Sequence, residues 1–169
     1  VAAPDFEAPT DSGSNNVYDV TVQVADGNGG TDTQALAVTV TNVNEAPLIT
    51  SDGGGATASV SAAENQTVAT TVTSSDVDGG AAVYSIAGGA DAALFTINAT
   101  TGVLSFNSAP NYEAPSDAGA NNVYDVTVQV SDGAGGTDTQ AIAVTVTPVN
   151  DNAPVITSDG GGATAMANV

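Results

Sequence analysis

The groups in this 169-residue chain that can do chemistry are carboxylates and amides. It carries 19 Asp and Glu and has no Lys, Arg, His or Cys. The four glutamates, Glu7, Glu45, Glu64 and Glu113, each lie beside an Asp or Asn in a short motif. These motifs are Asp5-Phe6-Glu7 and its copy Asn111-Tyr112-Glu113, Ala63-Glu64-Asn65, and the two linker-like runs Val43-Asn44-Glu45-Ala46-Pro47 and Pro148-Val149-Asn150-Asp151-Asn152-Ala153-Pro154. Two more acidic motifs stand at strand ends or linkers: Asp76-Val77-Asp78-Gly79 and Ser131-Asp132-Gly133. Short Asp and Asn side chains in irregular segments are easily aimed, and hard Ca2+ takes roughly six to eight such oxygens. The pair Asp76 and Asp78 can point two carboxylates at one ion. Without a cation, carboxylates crowded in this way repel one another.

The same inventory excludes other chemistry. Ser and Thr are plentiful, but no His, Lys or Cys can activate them as nucleophiles. Paired carboxylates can run glycoside hydrolysis, yet here they recur with the repeats described below and no cleft is evident. The chain is expected not to be an enzyme. Nucleic acid needs cations to neutralise its phosphates, and there are none. An anionic membrane surface repels a formal charge of −19. No apolar run is long enough to span a bilayer, so direct membrane insertion is not expected. The Asp52-Gly53-Gly54-Gly55 and Asp159-Gly160-Gly161-Gly162 loops lack the Lys and helix start of a phosphate cradle and read as β connections.

The elements that must position these acids follow from repetition and period. Ala3–Thr41 returns almost verbatim as Ala109–Thr147, and Ala46–Ala58 returns as Ala153–Ala165. Residues 1–45 therefore read as the C-terminal half of one repeat, 46–151 as a complete repeat and 152–169 as the start of the next. A unit of about 100 residues is a domain rather than a solenoid coil. Within it, 122–131 alternates strictly, with Tyr124, Val126, Val128 and Val130 on one face and Asp125, Thr127 and Gln129 on the other. Residues 139–147 do the same, with Ile142, Val144 and Val146 inward. The turn sequence Asp132-Gly133-Ala134-Gly135-Gly136 between them suits a hairpin. Shorter strands are expected at 58–62, 68–72, 83–86, 94–97 and 103–106. About seven short strands, rich in β-branched residues, predict an all-β, Ig-like Greek-key sandwich repeated in tandem. Tyr124 and Tyr18 stand where a tyrosine corner would, or serve as core aromatics. Asp19, Asp32, Asp125 and Asp138 read as solvated strand faces or hairpin ends.

In order along the chain, these motifs resemble those of a cadherin repeat. Ala63-Glu64-Asn65 resembles the family's early Glu motif, and Asp76-Val77-Asp78 its Asp-x-Asp. Asn111-Tyr112-Glu113 resembles its Asp-Arg-Glu, and Asn150-Asp151-Asn152-Ala153-Pro154 its Asn-Asp-Asn-x-Pro linker. The Ala- and Gly-rich wording is most like cadherin-like repeats of large bacterial surface and adhesin proteins. The resemblance implies Ca2+ held between successive domains. At the first junction the ligands would be Asp5, Glu7, Asn44, Glu45, Asp76, Asp78 and Asp132. At the second they would be Glu64, Asn111, Glu113, Asn150, Asp151 and Asn152. Asp26 would serve a junction further upstream. Two features depart from the family pattern: Asn111 stands where the family has an acid, and Pro148 where it usually has Asp.

The function expected from this resemblance is a calcium-rigidified extracellular segment at the cell surface. It would form a stalk, filament or adhesin in cell adhesion or biofilm. Its partners would be neighbouring repeats of the same chain, like molecules or surface glycans. The alternative is a passive spacer or carbohydrate-binding module attached to a secreted enzyme.

Overall fold

The structure, a computed structural model, describes residues 2–158. Most of the segment expected to open a third repeat, 159–169, lies outside the described residues, and the Asp159-Gly160-Gly161-Gly162 loop lies there too. The described residues form eleven strands and two 3₁₀ turns, Ser51–Gly53 and Ala92–Leu94. No helix among them is long and apolar enough to cross a membrane.

Residues 1–45, read above as a half-repeat, hold β1 (Val17–Ala25) and β2 (Thr31–Thr39), an antiparallel hairpin with Tyr18 opposite Val38 and Val20 opposite Leu36. The complete repeat holds β3 (Leu48–Ile49), β4 (Thr57–Ala63), β5 (Val68–Thr71), β6 (Ser74–Ser75), β7 (Val83–Gly88), β8 (Phe95–Ile97), β9 (Val103–Phe106), β10 (Val123–Ser131) and β11 (Thr137–Thr147). Seven of these are the expected strands. β3 and β6 are two-residue strands that pair with each other, too short for any alternation to show in the sequence.

One sheet runs β4-β11-β10-β7 and the other β5-β9-β8. β4 lies parallel to β11, with Ala63 beside Thr147. The period of two then sorts residues between core and solvent. Val126, Val128, Val130, Ile142, Val144 and Val146 are all buried on the inner face. The opposite sheet supplies Phe95, Leu104 and Phe106. The Phe106 ring lies edge-on to Tyr124, with centroids 5.2 Å apart at 81°, and Phe95 stacks on Phe106 at 4.5 Å. Each such apolar side chain contributes about 1.5–3 kcal/mol relative to exposure.

Tyr124 is both a core aromatic and a corner. Its ring is 1% exposed, and its hydroxyl accepts the Ser116 amide at 3.2 Å. At Gly102, φ is +70° and a Cβ would collide with the Val72 carbonyl. Only glycine lets the β8–β9 turn approach β5 so closely, and the Gly102 carbonyl in turn accepts the Val72 amide at 2.9 Å.

Several acids serve as fasteners in this frame. Asp91 is buried and accepts the amides of Ala118 at 2.7 Å and Asp125 at 2.8 Å. Asp117 accepts those of Asn121 and Asn122. In the half-repeat Asp11 does the same for Gly13, Asn15 and Asn16, and these amides lower its pKa. Asp138 differs from the solvated hairpin end expected of it. It is only half-exposed, and its Oδ2 accepts the Ile49 amide at 2.8 Å, which pins β3 to β11. The Asp52 loop is likewise anchored. Both Asp52 oxygens accept the Thr70 hydroxyl, and buried Gln140 donates to the Gly55 carbonyl at 2.9 Å.

Candidate metal centre

Two groups of three carboxylates converge among the described residues, and both are built from residues singled out in the sequence. In the first, oxygens of Glu7, Glu45 and Asp78 all lie within 4.8 Å of one another. Glu7 comes from the half-repeat, Glu45 from the linker and Asp78 from the loop after β6. In the second, Glu64, Glu113 and Asp151 meet within the same limit. Glu64 follows β4, Glu113 precedes β10 and Asp151 lies in the second linker. The repeat alignment equates Glu7 with Glu113 and Glu45 with Asp151. The two groups are therefore overlapping views of one recurring arrangement. Glu64 and Asp78 lie outside the stretch that the two copies share.

The parallel pairing of β4 with β11 positions Glu64. Its amide donates to the Thr147 carbonyl at 3.0 Å, so its side chain falls beside the outgoing linker. There its carboxylate accepts the amides of Val149 at 2.7 Å and Tyr112 at 2.8 Å. Those amides hold the buried Glu64 charged and lower its pKa. One side chain thus latches the linker and the loop carrying Glu113 to the end of β4.

Electrostatics differ at the first group. Desolvation and then the charge of Asp78 push Glu7 upward, and Glu45 is raised by desolvation, Asp78 and Glu7. Asp78 goes the other way. The Glu45 amide at 2.7 Å and the Asn42 side-chain amide at 2.8 Å lower its pKa. Like charges are therefore held together by a few amide donors, with no basic side chain in the chain to neutralise them.

Some of the remaining predicted residues are hydrogen-bonded to these groups, and Asp26 and Asn150 are not. Asp5 Oδ1 accepts the amides of Glu7 and Ala8, and Asn111 Oδ1 accepts those of Glu113 and Ala114 in the same turn. Asn111 therefore keeps the turn that Asp5 makes and lacks only its charge. Asp76 Oδ1 accepts the Asp78 amide at 3.0 Å. Asn44 donates to Asp132 Oδ2 at 2.8 Å, which ties the linker to the β10–β11 hairpin. That bond, with the turn amides of Ala134, Gly136 and Gly135, lowers the Asp132 pKa. Asn152 donates to Asp151 Oδ1 at 2.9 Å. Asn150 is exposed. Asp26 accepts the amides of Asn28 and Gly30 in its own hairpin turn.

Sequence reasoning passed over two asparagines. Asn42 donates to Asp78, and Asn65 donates to Asp151 Oδ2 at 2.7 Å. Asn65 stood within the Glu64 motif and could have been found there. Asn42 could have been found as well, since its counterpart Pro148 stands where the resemblance expects an acid, but Pro148 itself has no donor.

The donor set is all oxygen, anionic and drawn from separate chain segments. It fits a hard divalent cation and offers nothing to a soft one.

The bacterial Ig domain family matches residues 44–145 of the chain. No curated protein matches it. Among solved structures, cadherin domains 1–4 of protocadherin gamma B7 are 22% identical, with a TM-score of 0.61 over 88% of this chain and 34% of that one. Domains EC1-2 of human protocadherin-24 are 28% identical, with a TM-score of 0.53 over 67% of this chain and 48% of that one. Domains EC21-23 of human CDH23 are 21% identical, with a TM-score of 0.57 over 87% of this chain and 48% of that one. The chain thus spans about a third to a half of the structures it resembles.

Proposed function

The chain belongs to the bacterial Ig domain family, and from that premise we propose that it is a calcium-rigidified extracellular repeat segment of a cell-surface stalk, filament or adhesin. The observation that carries this reading is the make-up of the first acidic group. One carboxylate each comes from the upstream half-repeat, the linker and the downstream repeat. An ion held there joins three segments that otherwise repel.

Glu7, Glu45 and Asp78 would hold Ca2+ at the first junction, with Asp5, Asp76, Asn44 and Asp132 around them. Glu64, Glu113 and Asp151 would hold it at the second, with Asn111, Asn150 and Asn152 nearby. The ion supplies positive charge and nothing else. The chain's own residues do the positioning. Asn42 and the Glu45 amide fix Asp78, Asn44 ties the linker to Asp132, and Glu64 latches the second linker. The extracellular location is carried over from the extracellular domains among the similar structures. Its immediate partners are neighbouring repeats, and adhesion to like molecules follows from the same reading.

The test is thermal melting and small-angle scattering in calcium and in EDTA. Extracellular calcium modules have dissociation constants of about 10⁻⁴–10⁻³ M. At a hundred times that constant, calcium stabilises a site by about 2.7 kcal/mol. The melting temperature should rise and the radius of gyration settle to one value in calcium. Asp78→Asn should lose the response at the first junction. Identical melting and scattering curves in calcium and EDTA would overturn the reading.

A further inference from the structure

The two hairpin tips differ at one position that bears on chemistry. In β10–β11 the tip reads Asp132-Gly133-Ala134-Gly135-Gly136, and in β1–β2 it reads Asp26-Gly27-Asn28-Gly29-Gly30. Asn28 is the one asparagine in the chain that a glycine follows. Glycine has no Cβ to shield its amide nitrogen, and its backbone turns freely towards the preceding side chain. Nothing lies within 4 Å of where a Gly29 Cβ would stand, and both residues are exposed.

The hydrogen bonding separates the two tips further. Asp132 Oδ1 holds three successive amides, those of Ala134, Gly135 and Gly136. Asp26 Oδ1 holds the amides of Asn28 at 2.8 Å and Gly30 at 2.9 Å. The Gly29 amide between them has no hydrogen-bond partner among the described residues. The nitrogen that must act as nucleophile is the one the turn leaves free.

We propose that Asn28-Gly29 is a site of spontaneous deamidation, through which the half-repeat's hairpin acquires a carboxylate beside Asp26. The Gly29 nitrogen attacks the Asn28 side-chain carbonyl carbon. A nitrogen–carbon bond forms and the Cγ–Nδ2 bond breaks. The proton lost from the Gly29 amide leaves with the side-chain nitrogen as ammonia, and a cyclic imide remains. Water opens the imide at either carbonyl. Attack at one gives aspartate, and attack at the other gives isoaspartate, whose backbone runs through an extra methylene. No oxidant, metal or enzyme is needed. Either product adds one negative charge to a chain that starts at −19. The isoaspartate also displaces Gly30 from Asp26.

The experiment is incubation of the whole chain in mildly alkaline buffer, followed by isoelectric focusing and peptide mapping with electron-transfer fragmentation. The expected result is a single acidic step that maps to residues 26–30, with release of ammonia and faster amide exchange at Gly30. Gly29→Ala should slow that step. Asn28→Ala should abolish it, and this variant reproduces the tip that the complete repeat already folds with. The proposal is overturned if another asparagine converts first, or if Asn28→Ala acquires the charge as quickly as the parent chain.

Discussion

β1–β2 and β10–β11 present nearly the same sequence to different surroundings. β1 differs from β10 only at Ala25 against Ser131, and β2 differs from the matching part of β11 only at Leu36 against Ile142. Their registers correspond pair for pair. Yet Val128 and Val144 are fully buried, while Val22 and Val38 are 46% and 53% exposed. The strand and its pairing are local properties of the alternating sequence, whereas burial belongs to the sheet that lies across from it. β10–β11 has β5-β9-β8 over its apolar face, and among the described residues β1–β2 has no such cover. Among the described residues the same valines are therefore buried in one copy and open to solvent in the other.

Paired substitutions at matched positions would sharpen or break this comparison. The largest effect is expected at the core. Ile142→Ala should cost about 2–5 kcal/mol in urea unfolding. Measured on this 169-residue chain, Leu36→Ala should change stability by no more than about 0.5 kcal/mol. Equal losses would mean that the hairpins share one environment after all.

Gln140 and Gln34 come next. Gln140 is fully buried and donates to the Gly55 carbonyl, while Gln34 is exposed. Gln140→Ala removes that hydrogen bond at a cost of about 0.5–1.5 kcal/mol, and Gln34→Ala should be silent in the same melt of this 169-residue chain. The corner tyrosines follow. Tyr124→Phe loses the bond from the Ser116 amide and should cost about 0.5–1.5 kcal/mol. Tyr18→Phe loses solvent-exposed contacts with the Thr10 amide at 3.4 Å and the Thr10 hydroxyl at 3.3 Å and should be nearly neutral.

The smallest effect is in the response to acid, and there Glu7 and Glu45 at the first junction have the opposite sign to Glu64 at the second. The Val149 and Tyr112 amides lower the Glu64 pKa. Its stabilisation is complete above the ordinary carboxylate value of about 4.3 and fades as pH falls through the lower folded value. Desolvation and the Asp78 charge raise Glu7 and Glu45. Their contribution is complete below that ordinary value and is lost as pH rises through the raised one. Mild acid should therefore firm the first junction, and stronger acid should loosen the second. Backbone NMR of linker residues 43–45 and 149–151 across a pH series checks both. A common midpoint with the same direction of change would contradict this assignment.

Much of this was legible in the residues. The strict alternation in 122–131 named the inward valines, because a pleat exposes every second side chain to one face. Asp138 was misjudged for a related reason. A period of two tells which face a side chain takes, but not whether another segment crosses that face. Here β3 does, and it is too short to announce itself. Asp91 and Asp117 were equally silent, since an acid in a loop looks the same whether it faces water or a ring of backbone amides.

The sequence alone determined the internal repetition, the long strands, and a binding chemistry limited to hard oxygen donors, because composition and period are properties of the chain itself. Only the tertiary structure decided which carboxylates meet. The parallel seating of β4 against β11 brings Glu64 to Val149 across most of a repeat. The linker geometry brings Glu45 to Asp78 across another loop. Such long-range meetings depend on how sheets pair and stack, and no local pattern in the chain encodes them.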